Sequence, residues 1–252
     1  KKSRDHTENI FRYLGIPITV KKNKNYDEIC VKGQKFFKSF RYTIPSDPSS
    51  CAFFIVLTLL SKNCELKIKN MNINESRIGY IKILNKMGAK IKFNNVKKKY
   101  GEKLADIFVK SQPVLKKINC PPSLNSNLID EFLIIFLVAA KAKGVSNFTN
   151  LGELNKKESP RLKLGSKLLN HLGVKTRLTG DSIKIFGNPN IDLKKNIHIK
   201  DYFKDHRIFM TSVIAAYTFG GKWKIDDVSS YKSSFPSFLN ILKKLGYKFK
   251  LS

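Results

Sequence analysis

Two short strings in the second half of the chain set an arginine beside an acid in a loop that leads into an apolar helix: Lys157-Glu158-Ser159-Pro160-Arg161 and Asp205-His206-Arg207. Arginine presents a planar fork of donors that matches carboxylate and phosphate oxygens. A helix start adds free backbone amides and the positive end of its dipole. Glu158 would supply a carboxyl for proton transfer beside an anion held by Lys157 and Arg161. Arg207 heads its helix, where the dipole disfavours a cation unless an anion compensates. Asp130, in Asn127-Leu128-Ile129-Asp130-Glu131, stands before the most apolar helix of the chain, a place that stabilises its charged form. The plainer reading of these acids is that they cap helices, and His206 reads equally as a helix-start histidine or a proton donor. Together the loops suit an enzyme acting on phosphorylated or carboxylated small molecules.

The elements that must hold these loops recur. Four times an amphipathic helix ends in an apolar residue, then glycine, then alternating residues that read as a strand: Leu14-Gly15 before Ile16–Val20, Met87-Gly88 before Ala89–Phe93, Leu172-Gly173 before Val174–Leu178, and Leu245-Gly246 before Tyr247–Leu251. These glycines lie 73, 85 and 73 residues apart. Between them Asp47, Asp130 and Asp205 each precede an apolar helix (Cys51–Leu60, Phe132–Ala142, Ile208–Phe219), and a strand follows each helix (Cys64–Ile68, Ser146–Phe148, Lys222–Ile225). The predicted unit is strand-helix-strand-helix-strand-strand, repeated three times after Asp47. Before Asp47 only a trailing half is expected: helix Thr7–Leu14 and strands Ile16–Lys21 and Glu28–Lys32. The chain is therefore expected to begin part-way through a unit, with its domain junction in the turn-rich stretch Tyr42–Pro48.

Composition bounds the reading. A chain of 252 residues with 42% apolar content buries a sizeable core in one large domain or two smaller ones. The net charge is +29, yet only seven of the 48 basic residues are arginine. Lysine, asparagine and isoleucine are abundant together, which fits compositional drift on solvated faces; a polyanion-binding role is the alternative. A positive field also assists capture of anionic substrates. Three of the seven arginines, Arg4, Arg161 and Arg207, fall in the motif strings, where lysine cannot replace a bidentate fork. Cys30, Cys51, Cys64 and Cys120 form no CxxC pair, so a reduced cytoplasmic compartment without structural zinc is expected. The apolar runs Cys51–Leu60 and Phe132–Ala140 are too short to span a membrane.

These residues resemble the EPSP synthase (3-phosphoshikimate 1-carboxyvinyltransferase) family over nearly the whole chain. The resemblance is carried by Ser3-Arg4-Asp5-His6-Thr7-Glu8, Asp47-Pro48-Ser49-Ser50, Ile129-Asp130-Glu131, Lys157-Glu158-Ser159, Asp205-His206-Arg207 and Ser234-Phe235-Pro236, in the family's order and spacing. The wording is closest to the branch called class II, whose members tend to be less sensitive to glyphosate. The resemblance implies an α/β fold of repeated βαβαββ units, the inverse α/β barrel of enolpyruvyl transferases, in two domains that close over a cleft. Residues 1–45 would end the shikimate-phosphate-binding domain and residues 46–252 would form most of the second, leaving the first part of the enzyme outside this chain. A fragment of this kind is expected to be inactive alone.

The implied reaction joins the 5-hydroxyl of shikimate 3-phosphate to C2 of phosphoenolpyruvate and expels phosphate. By resemblance Asp130 contacts the 5-hydroxyl and is the base, and Glu158 is the acid that protonates the methylene carbon and later removes a proton. Arg161 and Arg207 match arginines that grip phosphoenolpyruvate; Arg4, Asp130 and Lys157 match contacts to shikimate 3-phosphate. No metal, organic cofactor, nucleic acid or membrane partner is implied, and a monomer is expected.

Two departures stand out. Pro160 replaces the family's aspartate, removing a carboxylate and an amide donor next to Arg161. Ser233 stands where some members carry a lysine, with Lys232 one residue away. The rival enzyme reading is the sister transferase acting on UDP-N-acetylglucosamine, against which the Asp-His-Arg and Ser-Arg-Asp-His-Thr-Glu strings argue. The rival from another class is a basic nucleic-acid-binding module, against which the lysines are scattered and Trp223 is a lone tryptophan.

Overall fold

The computed structural model describes residues 4–24, 26–33, 36 and 38–251; Ser3 of the first motif string lies outside them. The chain opens with helix α1 (His6–Tyr13) and an antiparallel hairpin of β1 (Ile18–Lys22) and β2 (Asp27–Val31), in which Ile18 faces Val31 and Lys22 faces Asp27. The repeats follow. The first holds α2 (Pro48–Leu60), β3 (Glu65–Asn72), α3 (Gly79–Lys86), β4 (Lys92–Lys99) and β5 (Glu102–Lys110). The second holds α4 (Phe132–Lys141), β6 (Gly144–Phe148), α5 (Arg161–His171), β7 (Thr176–Thr179) and β8 (Ser182–Gly187). The third holds β9 (Leu193–Ile199), α6 (His206–Phe219), β10 (Gly220–Ile225) and α7 (Phe238–Lys244).

The first two units share one topology: the last strand lies in the middle and pairs antiparallel with both others, giving orders β3-β5-β4 and β6-β8-β7. The strand expected to lead each unit pairs parallel with the strand after the apolar helix. This is a full ladder for β9 and β10, and isolated bridges at Ser46 to Met71, Lys116 to Lys143 and Asn119 to Asn147. All four repeat glycines close their helices with φ between 73° and 98°, a region costly for any residue with a Cβ. Two strand expectations are corrected. β4 begins at Lys92, because Gly88 and the turn after it delay pairing. Tyr247–Leu251 forms no strand: it finds no pairing neighbour among the described residues, whereas its counterparts β4 and β7 are each zipped to the strand that follows them.

Two classes of helix explain the layering. α2, α4 and α6 are apolar on nearly every side; every residue from Phe132 to Ala140 is buried, and the three helices pack on one another at the centre. Each buried Phe, Ile or Leu there contributes about 1.5–3 kcal/mol of transfer free energy. α3, α5 and α7 are amphipathic, burying Ile83 and Leu84, Leu168 and Leu169, and Phe238 and Leu242 while exposing lysines. Gly165 lets α5 approach α4 closely, since a Cβ there would lie 2.8 Å from Leu133 and 3.2 Å from Phe136.

The opening segment docks through a polar knot. Glu102, at the start of β5, is buried and takes His6 Nδ1 at 2.7 Å, with amide donors from Asn9, Asn72 and Asn74 each at 3.2 Å. Burial would raise this carboxyl, but the His6 and asparagine bonds hold it below the ordinary glutamate range. The knot fixes α1, and with it Arg4, against the repeats.

Candidate functional site

The starts of the three core helices lie together, but they are built differently. Asp47 caps α2, accepting from the Ser50 amide at 2.8 Å. Asp205 caps α6, accepting from the amides of Arg207 at 2.8 Å and Ile208 at 3.4 Å. The middle unit departs from the capping reading of Asp130. Glu131 takes the cap position without bonding an amide, which leaves the Asp130 carboxylate one residue outside the helix. The turn that carries Asp130 is braced from below: Asn125 donates to the carbonyls of Thr149 (2.9 Å) and Asn150 (3.0 Å), and Asn127 donates to that of Glu75 (3.1 Å).

Pro160 shapes the other loop. With φ −72° and ψ 70° it sits at the centre of an inverse γ-turn, closed by the Arg161 amide donating to the Ser159 carbonyl at 2.7 Å. Arg161 is thereby aimed inward and is fully buried. Its Nε donates to Asp205 Oδ2 at 2.9 Å, and the Ser159 hydroxyl donates to the same oxygen at 2.6 Å. Nη1 lies 3.5 Å from Asp130 Oδ1, and Nη2 lies 2.5 Å from Glu158 Oε2 but off the line of a hydrogen bond. The hold on the arginine thus comes from Asp205 and not from the residue at position 160.

Asp130 is the centre of the site. Arg4 donates to its Oδ2, Lys157 Nζ lies 3.6 Å from Oδ1, and Arg207 Nη2 lies 3.9 Å from Oδ2. Arg207 Nη1 also donates to the Asp130 carbonyl at 2.7 Å. Four cations from three separate stretches therefore face one carboxylate. Burial alone would raise the Asp130 carboxyl; the charges of Arg207, Lys157 and Arg4 outweigh it and hold the group below the usual aspartate range. Asp205 is likewise pulled up by burial and brought below that range by Ser159 and Arg161. His206 is pushed down by burial and by the neighbouring Arg207, so its neutral form is favoured.

Arg4, Asp130, Lys157, Arg161 and Arg207 are thus brought together, while Glu158 meets the group through Arg161 and its side chain is largely solvent-facing. The Ser233 hydroxyl donates to the Ser230 carbonyl at 2.9 Å in a short 3-10 helix. The bracing residues Ser159, Ser49, Arg77 and Glu131 were not singled out by sequence reasoning. Ser49, Ser159 and Glu131 stand inside the motif strings, which was the available signal; Arg77 carried none. Among the described residues no helix is long and apolar enough to cross a membrane.

Comparison with known proteins identifies the family of the fold. The EPSP synthase (3-phosphoshikimate 1-carboxyvinyltransferase) family matches residues 1–242. A 3-phosphoshikimate 1-carboxyvinyltransferase of Ruthia magnifica subsp. Calyptogena magnifica is 38% identical over 249 residues, covering 99% of this chain and 55% of that protein. One of Thermodesulfovibrio yellowstonii is 37% identical over 245 residues, covering 97% and 55%. The solved EPSP synthase of Acinetobacter baumannii superposes with a TM-score of 0.86 at 30% identity, over 97% of this chain and 55% of that one. The enolpyruvyl transferase NikO of Streptomyces tendae, at 14% identity and a TM-score of 0.66, shares the fold. The chain spans about half the length of the curated relatives it matches. With its repeated α/β units and this match over nearly all its residues, the chain belongs to the EPSP synthase family.

Proposed function

We propose that this chain forms one wall of an enolpyruvyl transferase that joins the 5-hydroxyl of shikimate 3-phosphate to C2 of phosphoenolpyruvate. The observation that carries this reading is the convergence of Arg4, Lys157, Arg161 and Arg207 on Asp130 in a chain of this family. Residues 46–252 belong to the phosphoenolpyruvate-gripping domain and residues 1–45 to the end of its partner, which docks through the knot at Glu102. The working enzyme is a cytoplasmic monomer.

Arg161 and Arg207 hold the phosphate and carboxylate of phosphoenolpyruvate, and Arg4 and Lys157 hold shikimate 3-phosphate. As it stands Asp130 is a weak base, because four cations stabilise its charge. Once the substrates' anionic groups share those cations, the hold on Asp130 weakens and its basicity rises. It then accepts the proton of the 5-hydroxyl as that oxygen bonds to C2, while Glu158 protonates the methylene carbon. In the second half Glu158 takes a proton back from that carbon and the C2–O bond to phosphate breaks, which yields the enolpyruvyl ether and phosphate. Glu158, largely exposed, must be covered by an opposing wall for this chemistry to exclude water.

Phosphate release from the two substrates tests the reading. In the whole enzyme Asp130→Ala, Glu158→Ala and Arg207→Ala each lower kcat/KM by about 100-fold or more. Near-normal kinetics in all three sink the site assignment. This chain by itself is expected not to turn over; activity from it alone would show that no opposing wall is needed.

A further inference from the structure

Beside Asp130 lies a second carboxylate that the mechanism leaves unused. Glu131 is buried, and its Oε1 accepts from the Ser49 hydroxyl at 2.6 Å. That hydroxyl oxygen in turn accepts from Arg77 Nη2 at 2.9 Å, and the same nitrogen donates to Asp47 Oδ1 at 2.7 Å. On its other side Glu131 Oε1 lies 3.8 Å from Arg207 Nη1, the nitrogen that donates to the Asp130 carbonyl. The row Asp47, Arg77, Ser49, Glu131, Arg207 therefore joins the first turns of all three core helices. A carboxylate is costly in such a place unless donors and cations surround it. Here the hydroxyl fixes its oxygen, and the guanidinium of Arg207 is the cation it faces on the site side.

We propose that Glu131 is a positioning residue for enolpyruvyl transfer: fixed by Ser49, it holds Arg207 against the Asp130 carbonyl so that the fork is set before phosphoenolpyruvate arrives. The inference rests on the proposed function, since it concerns how one anion-gripping arginine is aimed. It has two consequences. Loss of the Glu131 charge frees Arg207 and weakens phosphoenolpyruvate binding, while shikimate 3-phosphate, held by Arg4 and Lys157, is little affected. The effect also depends on pH, because burial lifts the Glu131 carboxyl above the ordinary glutamate range. The charged and titratable groups around it are Arg207, Arg77, Asp130, Tyr80 and Asp47.

The test is steady-state kinetics of the whole enzyme with both substrates varied. Glu131→Gln keeps the shape and an acceptor for Ser49, and is expected to raise KM for phosphoenolpyruvate roughly tenfold with kcat and KM for shikimate 3-phosphate within about twofold. Glu131→Asp, which retains the charge, recovers part of the loss, and Ser49→Ala shifts the same KM in the same direction. Acidification raises KM for phosphoenolpyruvate in the unaltered enzyme, and the difference from Glu131→Gln narrows as Glu131 takes up its proton. An unchanged KM in Glu131→Gln, or an equal fall in kcat and both affinities with a lower Tm, overturns the positioning role. Absence of turnover in the unaltered enzyme is a separate result, seen before any variant is compared, and it overturns the proposed function together with this inference.

Discussion

Asp47 and Asp205 occupy the same place in two copies of the repeat, and each caps an apolar helix through its side chain. The Asp47 side chain is 46% exposed and meets Arg77 at 2.7 Å in a setting where water competes. The Asp205 side chain is 0% exposed and anchors the buried Arg161 as well as its own helix. Duplication of a unit thus reproduces the cap, while burial and the surrounding side chains decide whether that cap also orders a site. Asp130 extends the point: shifted one residue from the helix by Glu131, it is released from capping altogether and faces four cations instead.

The largest effect that would sharpen this contrast is on stability. Asp205→Ala strands the buried Arg161 charge and should cost about 3–5 kcal/mol in urea unfolding. Asp47→Ala removes an exposed cap and should cost about 1 kcal/mol. Equal losses would break the distinction drawn between the two aspartates. Acid should then shrink the larger gap. Asp205 is depressed in the folded chain, so its contribution is complete above the ordinary aspartate value of about 4 and is lost as pH falls through its lower folded value. Unfolding of the unaltered chain and of Asp205→Asn, followed from pH 7 to pH 3, should draw together as pH falls below about 4. Parallel curves would mean that Asp205 is not ionised in the fold. The smallest effect concerns the frame that both regions share. Gly88→Ala, forced to keep φ near 98°, should cost about 1 kcal/mol, measured by the shift in Tm.

How much of this was legible in the sequence follows from the range of the interactions. Gly15, Gly88, Gly173 and Gly246 announced the helix ends because a left-handed residue is a local requirement. Asp47 and Asp205 announced caps for the same reason. Asp130 misled at this level: Asp130-Glu131-Phe132 offers two acids before an apolar run, and spacing alone does not say which one takes the cap. Tyr247–Leu251 alternates like a strand, but a strand exists only with a neighbour to bond. The links from Ser159 to Asp205 and from Arg77 through Ser49 to Glu131 span 46, 28 and 82 residues, and no periodicity reports such pairings. The motif strings named most of the residues that gather around Asp130, yet the bonds that brace them became visible only in three dimensions.

The γ-turn at Pro160 carries a consequence for the thermodynamics of recognition. Arg161 enters the core with its rotamers already restricted by the turn, by Asp205 and by the packing around it, so the ordering entropy of a long side chain is lost when the chain folds and not when an anion arrives. An anion that meets Arg161 therefore keeps more of the interaction as affinity. In return, whatever loosens the core around α5 weakens recognition before it unfolds the protein, so binding should decline with temperature ahead of the melting transition.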